Sequence, residues 1–289
     1  MTEGRNRWIV KIVLVLAVFA FIGVSMLPII EVLSNGQDAS VTSATAPSNS
    51  EVSSEKSKLT KEIEGLQLVL QREPNNSSTL RSLLERQLRL LQLGDGNVQG
   101  IIETLEKLTK LNPEQTKYAV LLAQAKQQVN DKEGAAQAYR SVLENQPGNL
   151  EALQGMVMLL LDQKRPEAAI GLLKETLTKG AQVNKIESGS IDVIAVQLLL
   201  GNVYASQKRY GQAIAAYDVA IKNDKQDFRP VLAKAMLLKE QGKADEAKLL
   251  FTTAANLAPA QYKDEINKQA VAEKSKEVKE EKSEEEKKK

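Results

Sequence analysis

From Leu59 to Tyr262 the apolar residues return every three or four positions, in clusters such as LQLVL at 66–70, RSLLERQLRLLQL at 81–93 and LLAQAKQQV at 121–129. That spacing places them on one face of an α-helix, so the segment reads as a series of amphipathic helices. Short polar breaks interrupt the series at Gly94-Asp95-Gly96-Asn97, Asn130-Asp131-Lys132, Gln163-Lys164-Arg165-Pro166, Gln207-Lys208-Arg209 and Gln241-Gly242-Lys243. Breaks so short make helix-turn-helix pairs. The pairs end at Asn112-Pro113, Gln146-Pro147 and Ala258-Pro259, because proline lacks the helix donor and disfavours the α conformation in the residue before it.

The pattern is periodic. At an offset of 34 residues Ala123, Ala135, Tyr139 and Pro147 have counterparts, and five copies can be placed at 82–115, 116–149, 150–183, 194–227 and 228–261. One class of positions is small, with Ala123, Val157, Gly201 and Ala235, and Arg89 departs from it in the first copy. Twelve residues on stands Ala135, Ala169, Ala213 or Ala247, with Ile101 departing. A third class is aromatic at Tyr139, Tyr217 and Phe251 and aliphatic at Leu105 and Leu173. Small side chains let two helix backbones cross at close range, and a large ring fills the space beside the crossing. The third copy is the weakest, with Thr176 and Ala181 at expected alanine and proline positions. An insertion around Gly180–Ser190 follows it, so the step from 150 to 194 is ten residues too long.

These residues resemble the tetratricopeptide repeat (TPR), a helix-turn-helix of 34 residues. The resemblance implies an all-α fold, a right-handed TPR helical solenoid of about five repeats over 58–262, in which the first helix of each repeat lines a concave protein-binding surface. A solenoid unit buries its apolar face only against a neighbour, so the ends need caps. Residues 59–73 supply a preceding capping helix, and 263–289 a closing helix followed by a Lys/Glu tail of low complexity that reads as a solvated end.

Upstream of the repeats the composition changes. Residues 12–30 carry no charge, a stretch that as a helix reaches about 28 Å and matches a bilayer core of about 30 Å. It exceeds the apolar region of a signal peptide, about 7–15 residues, so a retained transmembrane helix at 9–30 is expected, with 1–8 as a short cytoplasmic N-terminus. Arg5, Arg7 and Lys11 precede the span and Glu31, Asp38 and Glu51 follow it. The positive-inside rule then carries the rest of the chain out of the cytoplasm. Residues 31–57, rich in Ser and Thr, read as a flexible tether.

Composition removes several chemistries. The 289-residue chain has neither cysteine nor histidine, which excludes Ser-His-Asp and Cys-His nucleophile systems and zinc sites built on nitrogen or sulfur. Its formal net charge of +2 gives little electrostatic footing for nucleic acid, which is not expected as a partner. Gly94-Asp95-Gly96 lacks the preceding strand and third glycine of a phosphate loop. Acidic pairs such as Asp131 with Glu133, or Asp245 with Glu246, sit at helix starts, where the helix dipole favours them. No catalytic residue, cofactor or metal is expected, and the chain reads as no enzyme.

The resemblance places the protein-binding groove on Arg86, Leu90, Leu121, Gln124, Gln127, Gln154, Met158, Leu198, Asn202, Arg229 and Met236. Amides can hydrogen-bond the backbone of an extended peptide, while Met and Leu accept apolar side chains of varied shape. For the leucines, packing between helices is an equal alternative. The family's carboxylate clamp needs a Lys/Asn/Asn/Lys/Arg set across three first helices. Each possible frame fails here, as with Arg86, Leu90, Leu121, Glu151 and Gly155.

The layout of anchor, tether, repeats and charged tail is similar to TPR proteins of cyanobacterial and plastid photosynthetic membranes. That implies a thylakoid or plasma-membrane scaffold, with protochlorophyllide oxidoreductase or a photosystem assembly component as protein partner. The alternative is a periplasmic or lumenal holdase near a translocon.

Overall fold

The computed structural model describes residues 49–186 and 189–271, and they form twelve α-helices and no strand. They divide into two compact units, 49–165 and 166–271. The first holds α1 (Asn49–Arg72), α2 (Ser77–Gln92), α3 (Val98–Leu111), α4 (Thr116–Gln128), α5 (Lys132–Asn145) and α6 (Leu150–Asp162). The second holds α7 (Pro166–Val183), α8 (Val193–Ser206), α9 (Tyr210–Asn223), α10 (Phe228–Glu240), α11 (Ala244–Leu257) and α12 (Ala260–Val271). Within each unit every helix packs on the next, and α4 also meets α6, as α8 meets α10. This is the all-α helix-pair stacking expected from the sequence. The membrane span expected at 9–30 lies outside the described residues, and no helix among those described is long and apolar enough to cross a membrane.

The periodic residues form the cores. Ala123, Ala135, Tyr139, Leu105 and Ile101 are buried in the first unit, and Gly201, Ala213, Tyr217, Ala235, Ala247 and Phe251 in the second. Six helix starts are capped by side chains: Asn76, Asn97, Asp131, Asn149, Asp192 and Asp227 each accept a backbone N–H from the first turn they precede.

The turns within pairs share one geometry. Gly94, Asn130, Lys164, Lys208 and Gly242 all adopt the left-handed conformation, with φ between 58° and 78°. In each, two backbone N–H groups return to the last turn of the helix, as Asn130 N donates to Gln127 O at 2.9 Å and Asp131 N to Lys126 O at 2.8 Å. This Schellman arrangement satisfies carbonyls that the helix end leaves free. A left-handed side-chain-bearing residue costs about 1–2 kcal/mol. Lys208→Gly is therefore expected to stabilise the protein by about 0.5–1 kcal/mol after the extra freedom of glycine in the unfolded chain is deducted. The urea midpoint checks it: a fall would show that the Lys208 side chain contributes more than the strain costs.

Several boundaries differ from the sequence reading. Helix α1 begins at Asn49, so residues 49–57, assigned to the tether, are helical. Two ion pairs hold this stretch and the turn after it, Glu55 to Arg89 and Glu62 to Arg86, each at 2.7 Å. The first pair begins at Ser77 and not at 82, because its turn, Leu93–Asn97, is two residues longer than Val129–Asp131 and α2, with 16 residues against 13 in α4, starts a further three residues earlier. That offset puts Gln87, and not Arg89, at the crossing position of Ala123. Gln87 is buried, and a Cβ on Gly100 would lie 3.2 Å from its amide nitrogen.

The closing helix α12 starts at Ala260, inside the expected solenoid, and Tyr262 stacks on Phe228 with ring centroids 5.5 Å apart. Residues 272–289 lie outside the described chain. The ten-residue insertion lengthens α7 to Val183 and adds a loop. There the Asn184 side-chain amide donates to Ile191 O at 2.8 Å and its oxygen accepts from Ile191 N at 3.0 Å.

Candidate protein-binding groove

In the first unit, one face of α4 carries Leu121, Gln124 and Gln127, and α6 carries Met158 in register with Gln124, with Gln154 one turn before it. Leu121, Gln124, Gln127 and Gln154 are half-buried, and Met158 is 40% exposed. Because α4 and α6 pack together, these five candidates share one surface of amides and soft apolar groups.

Its floor is Tyr139, which the repeat pattern marked only as packing. The phenol donates to Gln127 Oε1 at 2.8 Å, and the ring lies under Gly155 so closely that a Cβ there would stand 2.2 Å from Cζ. Burial pushes the Tyr139 phenol up to about 12. The choice of Tyr over Phe at this position, with an amide twelve residues earlier and a glycine sixteen later, was the signal available in the sequence.

On α2, Leu90 is half-buried and Arg86 is engaged elsewhere. The longer first turn shifts the residue register of α2 by two positions against the other first helices, and Arg86 reaches Glu62 on α1. Lys126, the register counterpart of Leu90, likewise turns to the preceding helix pair, where it meets Glu106 at 2.9 Å.

The second unit treats its candidates differently. Leu198 and Asn202 on α8 are buried. The Asn202 oxygen accepts from the Tyr217 phenol at 2.7 Å, and its amide nitrogen is buried without a hydrogen-bond partner. Burial raises the Tyr217 phenol, with Glu240 adding to the effect.

Arg229 donates to Asp227 at 2.6 Å and stands 3.6 Å from Asp192. Its pKa is raised, first through the hydrogen bond to Asp227. Both carboxylates also cap helices, so this cation ties the starts of α8 and α10 together. Met236 stays half-buried beside Leu232, which shares a core cluster with Ile266 of α12. The Lys239 ammonium, one turn on from Met236, donates to Gln269 O at 2.6 Å and so ties α10 to the closing helix α12.

The chemistry on offer is noncovalent: amide hydrogen bonds and apolar contacts on the first unit, ion pairs already made within the second. Among the described residues no group of three acidic, His or Cys side chains could hold a metal ion.

Comparison with known proteins agrees with this architecture. A family profile described as "Tetratricopeptide repeat" matches residues 67–258. Among curated proteins the chain is similar to protein SLOW GREEN 1, chloroplastic, of Arabidopsis thaliana, at 27% identity over 201 residues, covering 70% of this chain and 61% of that one. It is also similar to cellulose synthase operon protein C of Pseudomonas fluorescens, at 29% identity over 114 residues, covering 37% of this chain and 9% of that protein. Among solved structures the yeast Tom70 crystal structure aligns with a TM-score of 0.51 at 18% identity, over 75% of this chain and 43% of Tom70. The chain thus spans less than two thirds of the length of each of these proteins.

Proposed function

As the chain belongs to the tetratricopeptide repeat family, we propose that it is a membrane-held, non-enzymatic scaffold that binds a segment of a partner protein on the α4–α6 face. The observation that carries this is the accessible surface of Gln124, Gln154 and Met158 above the Tyr139 floor. An extended peptide there can bond through its backbone to the amides and seat an apolar side chain on the thioether, which adapts to varied shapes. In the second unit Leu198 and Asn202 are buried and Arg229 is paired, so binding concentrates on the first.

The charge-free run 12–30 supports a single N-terminal membrane anchor, with the repeats outside the cytoplasm by the charge rule. The similarity to a chloroplastic protein supports a thylakoid setting. In layout the chain resembles the cyanobacterial Pitt protein, which points to protochlorophyllide oxidoreductase or a photosystem assembly component as partner. A cytoplasmic partner of that kind requires the opposite orientation, so topology and partner are tested together.

Photo-reactive residues at Gln124 and Met158 are expected to crosslink one stoichiometric partner in intact membranes, while one at the exposed Gln137 of α5 does not. Met158→Glu should weaken that association about tenfold or more by placing a charge where apolar contact is made. Crosslinks from Gln137 alone would move the binding surface off this face. A broad set of unfolded clients would indicate a holdase.

A further inference from the structure

Helix α1 turns Leu59, Ile63, Leu66 and Leu70 toward the first unit. At 3.6 residues per turn, Lys58, Lys61, Gly65, Leu68, Val69 and Arg72 fall within about 100° of arc on its outer side. All six are exposed, Leu68 by 62% and Val69 by 44%.

Three cations therefore frame an apolar pair. Lys58 stands near two carboxylates that arginines already engage, Glu62 at 3.9 Å, held by Arg86 at 2.7 Å, and Glu55, held by Arg89 at 2.7 Å. Glu51 and Glu64 border the strip, and no carboxylate lies between its cations. The closing helix differs: the exposed residues of α12 include the mixed polar Gln261, Asp264, Glu265, Asn267 and Lys268, with Val271 at its last position and, among the described residues, no trio of cations framing it.

We propose that this strip of α1 lies on an anionic lipid surface. Cations attracted to phosphate headgroups beside a Leu-Val pair that enters the acyl boundary are the elements of an interfacial helix. The position along the chain agrees. The charge-free run ends at Ile30, and residues 31–48 can hold Asn49 no farther from it than about 70 Å even at full extension. The inference rests on the reading that the chain is membrane-held, and it assigns which end of the repeats faces the bilayer.

The absence of cysteine makes Leu68→Cys a unique labelling site in the 289-residue chain. In vesicles of phosphatidylglycerol and phosphatidylcholine, a nitroxide at position 68 is expected to gain exposure to dissolved oxygen and lose exposure to a water-soluble nickel chelate. In phosphatidylcholine alone it should not. A nitroxide on Leu249→Cys, at a 72% exposed site on α11, should remain in water in both. Changing Lys58, Lys61 and Arg72 together to Glu should return position 68 to water and lower partitioning of the strip on the order of 100-fold.

Equal behaviour of positions 68 and 249 in both vesicles overturns the proposal. So does spin–spin broadening at position 68, which would put a second copy on this face. Carbonate extraction reads the anchor separately. If it strips the protein from vesicles, the anchor reading fails. The strip then predicts salt-sensitive binding to the phosphatidylglycerol vesicles, and no such binding overturns it.

Discussion

Gly201→Ala is expected to destabilise the protein by about 2–4 kcal/mol, although alanine in place of glycine normally strengthens a helix by about 1 kcal/mol. The new Cβ would lie 2.3 Å from Cε1 and 2.7 Å from Cδ1 of Tyr217. The ring cannot swing aside, because it is buried and its phenol is bonded to Asn202. Overpacking costs about 1–3 kcal/mol, and a phenol forced off its acceptor adds a similar penalty for an unsatisfied buried group. Gly171→Ala, where nothing lies within 4 Å of the added carbon, should instead stabilise by about 0.5–1 kcal/mol. Urea unfolding of both variants separates steric cost from propensity. Adding Tyr217→Leu should recover part of the loss in Gly201→Ala. If the double variant is no more stable than Gly201→Ala alone, the ring is not the obstacle.

The second large effect is alkaline. Tyr139 is neutral in the folded protein up to about pH 12, against 10.0 for a free phenol, because burial penalises the phenolate. Tyr217 is shifted in the same direction by burial and by Glu240. A folded pKa raised above the unfolded one gives stability that is complete below pH 10 and is lost as the pH climbs toward the folded value. For Tyr139 the loss amounts to about 2–3 kcal/mol between pH 10 and 12. Tyr139→Phe should cost about 1 kcal/mol at neutral pH through the lost bond to Gln127, yet fall less steeply in alkali. Urea midpoints at neutral and alkaline pH, with tyrosinate absorbance alongside, measure both. Parallel curves for the two proteins would contradict the assignment.

Much of the fold is written in single residues. Ala123, Ala135 and Tyr139 recur at a spacing that only stacked helix pairs satisfy, and the structure buries all three. The site was less legible, and the reasons are local. Two extra residues in the first turn shift the register of α2, so counting by 34 selects Arg86, which the chain pairs with Glu62 of α1. Asn202 reads as a groove amide until the Tyr217 phenol is seen to claim its oxygen. Arg229 reads as a groove residue, but Asp227, two residues before it, binds it at 2.6 Å, and Asp192, contributed by the end of the insertion and not predictable by periodicity, stands 3.6 Å away. The serine-rich start of α1 lacks apolar density and is held by arginines more than 20 residues away.

The loop closed by Asn184 and Ile191 separates chain length from repeat geometry. The two residues meet through paired hydrogen bonds, while Gly180, buried beneath Ile191 and Val193, leaves room for that closure. The chain thus leaves α7 and returns to α8 through a gate of fixed width. Each doubling of a flexible loop costs only about 0.6 kcal/mol in closure entropy, so residues inserted between Asn184 and Ile191 are expected to leave both helices where the paired hydrogen bonds hold them.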